Sequence, residues 1–431
     1  MNVSLESLPS ELLGEVSDEL SPEDLKSMRL SSKSLCSAAT RSLFHHLKLF
    51  PTKLSQETFL QVLSSLSLSR YVRHVHLCTE ESSKGIIEEE PGLSKEFIEA
   101  FMKTTEFPNL TTITLVFQKF RWNRSGRNRN RVYAKSLKIR TEALNMLLDM
   151  LNDPSKPQGR NICNLSIKGR VDNDPMIISS PKFVTLLNRL RKLRLFTTNT
   201  QDITTNLPSV WLEPTAAKLT HLSIYMGPYF GYTYKLDLRE IRFPNLRSLG
   251  FGQYVFSHDW QFDWIIRHSK TLQQLTLDDC PILFLARNCR SLDSEGYPQF
   301  MTGPPIFDDR LDNTYTYSRR WSEVFERFRM ELGALRSICF GCSTLYGEPI
   351  DDVVSILEYK KTYPKPYQAF KIGFNQRLQV DWIALNFLWE KGRCAESQHK
   401  WDEKDTVALF ALMRSIGQPI PAGTDLIGIY Y

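Results

Sequence analysis

A short apolar unit recurs along this chain and constrains its fold more tightly than any other feature. Writing φ for an apolar residue, the form φ-x-x-φ-x-φ appears at Val72 to Leu77, Leu110 to Leu115, Ile162 to Ile167 and Leu190 to Leu195, and again at Leu219 to Ile224, Leu246 to Phe251, Leu272 to Leu277 and Leu335 to Phe340. Between Ile162 and Leu272 the successive starts lie 28, 29, 27 and 26 residues apart. Regular spacing of this size marks a chain built by stacking one small unit on the next. Each unit ends in period-two alternation, which a strand with one buried face requires, and the intervening segments carry helical stripes. Phe183, Leu186, Leu187 and Leu190 form one such stripe, and Phe262, Ile265 and Ile266 suggest another.

The expected fold class is therefore α/β, an irregular leucine-rich-repeat-like solenoid, since the intervals fall in the range of that repeat. The outer intervals are longer, at 38, 52 and 63 residues, and call for insertions. Arg121 to Arg131 reads as a mobile charged loop without apolar anchors, and Gly296 to Tyr317 as an irregular insertion around Gly303-Pro304-Pro305. Trp321, Val324, Phe325, Phe328 and Leu332 return to helical spacing. Leu54 to Leu66 is expected to cap or bridge the array at one end. A C-terminal cap is expected from the helical patterns at Trp382 to Glu390 and Lys404 to Ile416, because a last repeat would otherwise expose an apolar cross-section.

The first fifty residues read differently, as three short helices around one core. Leu8, Leu12, Leu13, Val16 and Leu20 lie near one stripe, with Pro9 at the opening turn. Ser21-Pro22-Glu23-Asp24 writes a second helix start, with a capping hydroxyl, a first-turn proline and acids at the positive end. Leu25, Met28 and Leu30 follow, and a third segment after Ser31-Ser32 turns Leu35, Ala38, Ala39, Leu43 and Phe44 inward. The expected division is residues 1–50 for this unit, 51–105 for linking helices and a first strand, 106–342 for the repeats and 343–431 for the cap.

The ordered set Leu8-Pro9, Glu11-Leu12-Leu13, Asp24-Leu25, Arg29-Leu30 and Lys33, followed by Leu43-Phe44, resembles the F-box. It departs from the family at Leu35, where many members carry an aromatic residue, and at Ser31-Ser32, where an apolar-Cys pair is common. The duplicated Phe-Pro-Asn-Leu at Phe107 to Leu110 and Phe243 to Leu246 resembles the lead-in to a strand in fungal F-box repeat proteins. The resemblance implies a non-catalytic substrate-recruiting adaptor of an SCF-type ubiquitin ligase. Its F-box would dock on the Skp linker, which joins the cullin and RING ligase, through Leu8, Pro9, Leu12, Leu13, Val16, Leu25 and Leu30. The repeat surface would hold a target protein. Its candidate contacts are the strand residues Lys168, Lys192 and Arg194, a basic portion suited to acidic or phosphorylated segments, continued by His221, Tyr225, Gln274, Thr276 and Asp278.

Composition narrows the alternatives. Net charge is +6 on 54 basic and 48 acidic residues, which does not call for nucleic acid, and eight scattered cysteines with no leader-like start fit a reduced cytoplasmic or nuclear protein. Apolar runs stay far below the roughly 18 residues of a membrane span. No phosphate loop, nucleophile elbow or His-Glu-x-x-His pattern occurs, so no catalytic residue is assigned. No cofactor or metal is expected either, since Cys339-x-x-Cys342 lacks a second pair and His45-His46 lacks partners at ligand spacing. Two other readings stay open: an interaction scaffold without a part in ubiquitin transfer, and a nucleic-acid binder acting through Arg121 to Arg131.

Overall fold

A computed structural model describes residues 5–79, 93–117, 129–169, 175–197, 204, 206–288, 291–299, 313–341, 367–372, 378–380 and 401–420. The chain divides into two compact units, Met1–Leu190 and Arg191–Tyr431.

The first unit opens with helices α1 (Ser10–Asp18), α2 (Pro22–Ser31) and α3 (Lys33–His45). The expected cap is present: the Ser21 hydroxyl accepts from the Asp24 backbone N–H at 3.2 Å, and Ser32 does the same for Leu35 at 3.3 Å. Strands β1 (His46–Leu49), β2 (His74–Cys78), β3 (Thr112–Val116) and β4 (Asn164–Lys168) pair in parallel, in the order of the sequence. Helices α4 (Lys53–Ser64), α5 (Leu66–Ser69), α6 (Lys95–Met102), α7 (Arg129–Asn152), α8 (Pro175–Ile178) and α9 (Pro181–Leu187) fill the connections. Of the segment read as a mobile loop, 121–128 lie outside the described residues, and the backbone is helical from Arg129 onward. In the segment expected to cap or bridge, Leu54 to Leu66, α4 buries Gln56, Phe59 and Val62, while Leu54 and Leu66 are exposed.

In the second unit, β5 (Lys192–Thr197), β6 (His221–Phe230), β7 (Ser248–Tyr254), β8 (Gln274–Asp278) and β11 (Ser337–Gly341) form a parallel array. Helices α10 (Asp259–Ile266), α11 (Trp321–Glu331) and α12 (Glu403–Ser415) accompany it. All eight φ-x-x-φ-x-φ units end on a strand of one array or the other, and each of their apolar positions is at most 5% exposed. The unit therefore specifies both the strand and its buried face. Its second residue has a further role in the backbone. The Arg73 carbonyl accepts from the N–H groups of Thr111 and Thr112, and the carbonyls of Thr111, Arg191, Thr220, Arg247 and Gln273 each accept from two successive N–H groups in the same way. Stacking thus satisfies the backbone just ahead of each strand.

A second sheet was not legible in the repeat. Strands β9 (Ile282–Asn288), β10 (Asn313–Thr316), β12 (Tyr367–Ile372) and β13 (Leu378–Val380) lie in the order β10-β9-β12-β13, with only the β9 and β12 pair parallel. The insertion expected at Gly296 to Tyr317 thus contributes a strand, and Tyr315 anchors it by donating from its hydroxyl to the Ser257 carbonyl at 2.6 Å. The expected stripe on α11 is observed, with Trp321, Val324, Phe325, Phe328 and Leu332 all buried. Helix α12 matches the pattern at Lys404 to Ile416, whereas Trp382 to Glu390 and Cys342 lie outside the described residues.

Candidate functional site

Two surfaces and one side-chain cluster carry the residues of interest. The first surface is on α1 to α3. Leu13, Leu25, Met28, Leu35 and Ala39 make the small core, with Leu8, Leu20, Ala38 and Leu43 packed against it. Polar contacts fix its helices: the Ser42 hydroxyl donates to Asp18 at 2.6 Å, and Arg29 donates from Nε to Thr40 at 2.9 Å while its guanidinium lies over the Phe44 ring. Of the seven residues proposed for docking, Leu13 and Leu25 are buried in this core and Leu8 is half-buried. Pro9 is exposed, as are Leu12 at 44%, Val16 at 38% and Leu30 at 89%. Leu12 and Val16 stand one turn apart on α1, so they share a face, and Leu5 ahead of the helix is 41% exposed. One small helical unit thus leaves several large apolar side chains in water.

The second surface is the strand face opposite the buried leucines. In the second unit the register sets Lys192, His221, Ser248, Gln274 and Ser337 side by side, with Arg194, Ser223, Gly250, Thr276 and Cys339 in the next row. The third row holds Phe196, Tyr225, Gly252, Asp278 and Gly341. The first two rows are accessible except at Gly250, which is buried: Gln274 is exposed, and Lys192, Arg194, His221 and Thr276 are half-buried. The third is closed where it was expected to be open, because Tyr225 is 4% exposed and Asp278 fully buried. The Tyr225 ring lies over Gly252, where an added Cβ would come within 1.9 Å of it, and faces Phe196 at 4.7 Å. Burial pushes His221 down to about 4, and Lys192, Arg194 and Arg247 act in the same direction, so the ring is neutral among cations at pH 7. Lys168, the remaining candidate, is half-buried at the end of β4 in the first unit.

The cluster is one that sequence spacing missed. His46 was assigned to the helical unit, but it turns into extended backbone and opens β1. There it stands beside His74, and His76 follows two residues on, so that one ligand nitrogen from each of the three lies within 4.8 Å of the others. The His74 and His76 rings stack at 4.1 Å, and His74 Nε2 is 2.7 Å from the Thr114 hydroxyl on β3. The pattern His-x-His on a strand was the available signal, since alternate residues share a face. The third member is 28 positions upstream of His74 and becomes a neighbour only through strand pairing.

Among the described residues no helix is long and apolar enough to cross a membrane. No curated protein matches the chain. Residues 5–47 match the F-box domain, a domain that binds the Skp linker in SCF ubiquitin-ligase complexes and whose proteins are as a rule adaptors without catalysis of their own; the chain is thus an F-box-containing protein.

Proposed function

We propose that this protein recruits a target to an SCF-type ubiquitin ligase, docking on the Skp linker with the exposed apolar residues of α1 and α2 and holding the target on its strand face. The exposure of Leu12, Val16 and Leu30 on a unit that matches the F-box is the observation that carries this reading. Leu13 and Leu25 act from beneath, by fixing the helices that present the surface. The strand arrays act as leucine-rich-repeat-like units of the fungal F-box type, and the stacked strands together with the duplicated Phe-Pro-Asn-Leu support that assignment.

On the target side, the two open rows offer Lys192 and Arg194 with His221, Gln274 and Thr276 between strands, a basic surface with neutral hydrogen-bonding groups. That combination suits an acidic or phosphorylated segment through charge-assisted hydrogen bonds. Catalysis comes from the partners, and the chain contributes proximity by raising the local concentration of target lysines near the loaded enzyme. Such a protein works in the cytoplasm or nucleus.

Affinity purification of the intact chain beside a Leu12→Asp, Val16→Asp variant tests the proposal. Skp linker and cullin recovered with the intact chain and lost from the variant, with circular dichroism unchanged, is the expected result. Recovery of the linker without cullin would make the protein a scaffold outside ubiquitin transfer. Recovery of neither from folded intact protein would overturn the docking assignment.

A further inference from the structure

We propose that His46, His74 and His76 form a binding site for a divalent transition metal, zinc in the first instance, with three imidazole nitrogens as protein ligands and the remaining coordination position open to solvent. The site stands independently of the ubiquitin-ligase reading. It is built by strand geometry: alternation puts His74 and His76 on one face of β2, and the parallel register places His46 of β1 directly beside His74. Ring centroids lie 4.1 Å apart for His74 and His76, 5.0 Å for His46 and His74, and 6.2 Å for His46 and His76.

The candidate ligand atoms are within 4.8 Å of one another, whereas bonds of about 2.0–2.1 Å in a tetrahedral zinc site put nitrogens about 3.3 Å apart. The proposal assigns that difference to rotation of rings that are exposed or half-buried. The Thr114 hydroxyl lies 2.7 Å from His74 Nε2 and orients the ring, as the outer partners of metal-bound histidines do.

Metal ligation also needs neutral imidazole. The ligand set is nitrogen alone. Cys78, further along β2, is buried and stands outside the three clustered side chains. Imidazole without carboxylate selects zinc, copper or nickel over calcium or magnesium. The charges that act on these rings are Lys48 on β1, Lys168 at the end of β4 and Asp18 at the end of α1. The two lysines oppose a dication, so removing Lys48 strengthens binding. An ion here joins the end of α3 to β2, beside the Arg73 N–H donating to the His45 carbonyl at 3.1 Å, and so stiffens the joint between the N-terminal helices and the strands of the same unit.

The experiment is calorimetric titration of zinc chloride into the full chain, stripped with a chelator and free of any histidine tag, with cobalt chloride as a visible-absorbance probe of tetrahedral nitrogen coordination. One equivalent is expected to bind, with a loss of at least about tenfold in affinity in His46→Ala, His74→Ala and His76→Ala, none in His45→Ala, and a gain in Lys48→Gln. His46 is exposed, so its variant keeps the fold and decides the question even where the strand histidines prove structural. No saturable heat or cobalt band with the intact chain, or equal binding by folded His46→Ala, overturns the proposal.

Discussion

Asp405, fully buried at the start of α12, accepts a hydrogen bond at 2.7 Å from the guanidinium of Arg320, the residue that precedes α11. The same carboxylate accepts from the Ser322 N–H at 2.8 Å, the Tyr367 hydroxyl at 2.9 Å and the Asp402 N–H at 3.2 Å. One side chain thereby joins α11, α12 and β12 in the second unit. Removing a partner from a buried pair leaves the other charge uncompensated and costs about 3–5 kcal/mol. Arg320 keeps its ion pair with Asp402 at 3.2 Å when Asp405 is lost, so Asp405→Ala is expected to lower stability in urea unfolding by less than that full cost, about 2 kcal/mol for buried donors left without their acceptor, and Asp405→Asn, which keeps acceptor capacity, by less again. A change below about 1 kcal/mol in Asp405→Ala would show that the carboxylate does not hold these elements together.

His268 supplies a dependence on pH. Its Nε2 accepts from the Phe243 backbone N–H at 3.3 Å, so the proton is on Nδ1, 3.0 Å from the Trp264 carbonyl. Burial lowers the ring's pKa from 6.5 to about 4. Between those values the unfolded chain carries the extra proton, so stability rises with pH there and falls as acid is added from pH 6.5 toward 4. At 1.36 kcal/mol per pKa unit the full effect is roughly 3 kcal/mol. His76 and His221 shift in the same direction and add to the slope. Unfolding midpoints at pH 7 and pH 5 are expected to differ by less in His268→Gln than in the parent, and an unchanged difference would remove His268 from the account.

Gly252 is where a methyl group cannot be added. An added Cβ would stand 1.9 Å from the ring of Tyr225 on the neighbouring strand, and that ring is itself buried against Phe196. Gly252→Ala is therefore expected to destabilise the second unit by about 1–3 kcal/mol, the usual cost of overpacking. The double variant Gly252→Ala, Tyr225→Ala should recover less than additive loss, because the clash is gone when the ring is. Thermal melts of the four proteins check both statements.

The N-terminal helices carry one leucine in water, Leu12, beside one in the core, Leu13. Leu12→Asp changes an exposed side chain and should alter stability by no more than about 0.5 kcal/mol while abolishing Skp-linker binding. Leu13→Ala opens a cavity in the small core and should cost about 2–5 kcal/mol. Chemical denaturation beside a pull-down of the linker resolves the two, and equal binding by Leu12→Asp and parent would place the docking surface elsewhere.

Local pattern alone determined where eight strands of the two parallel arrays and many of the helices fall. The φ-x-x-φ-x-φ unit did so because alternation assigns each side chain to a face, and burying three apolar residues per unit leaves the chain one arrangement for that stretch. The starts of α2 and α3 were equally legible in Ser21 and Ser32, since a cap acts within three residues. The duplicated Phe-Pro-Asn-Leu lies at the border between the two kinds of information. Its recurrence is plain in the sequence, yet only the fold shows that Asn109 and Asn245 each donate at 2.8 Å to a carbonyl ahead of the preceding strand, those of Arg70 and Ala217. What tertiary structure decided was everything that depends on partners distant in sequence. It opened β1 after α3, brought His46 to His74, and ordered the second sheet. It closed Tyr225 and Asp278, which strand alternation had placed on an open face. Alternation tells which way a side chain points, but what covers it is settled by segments that the chain brings in from elsewhere.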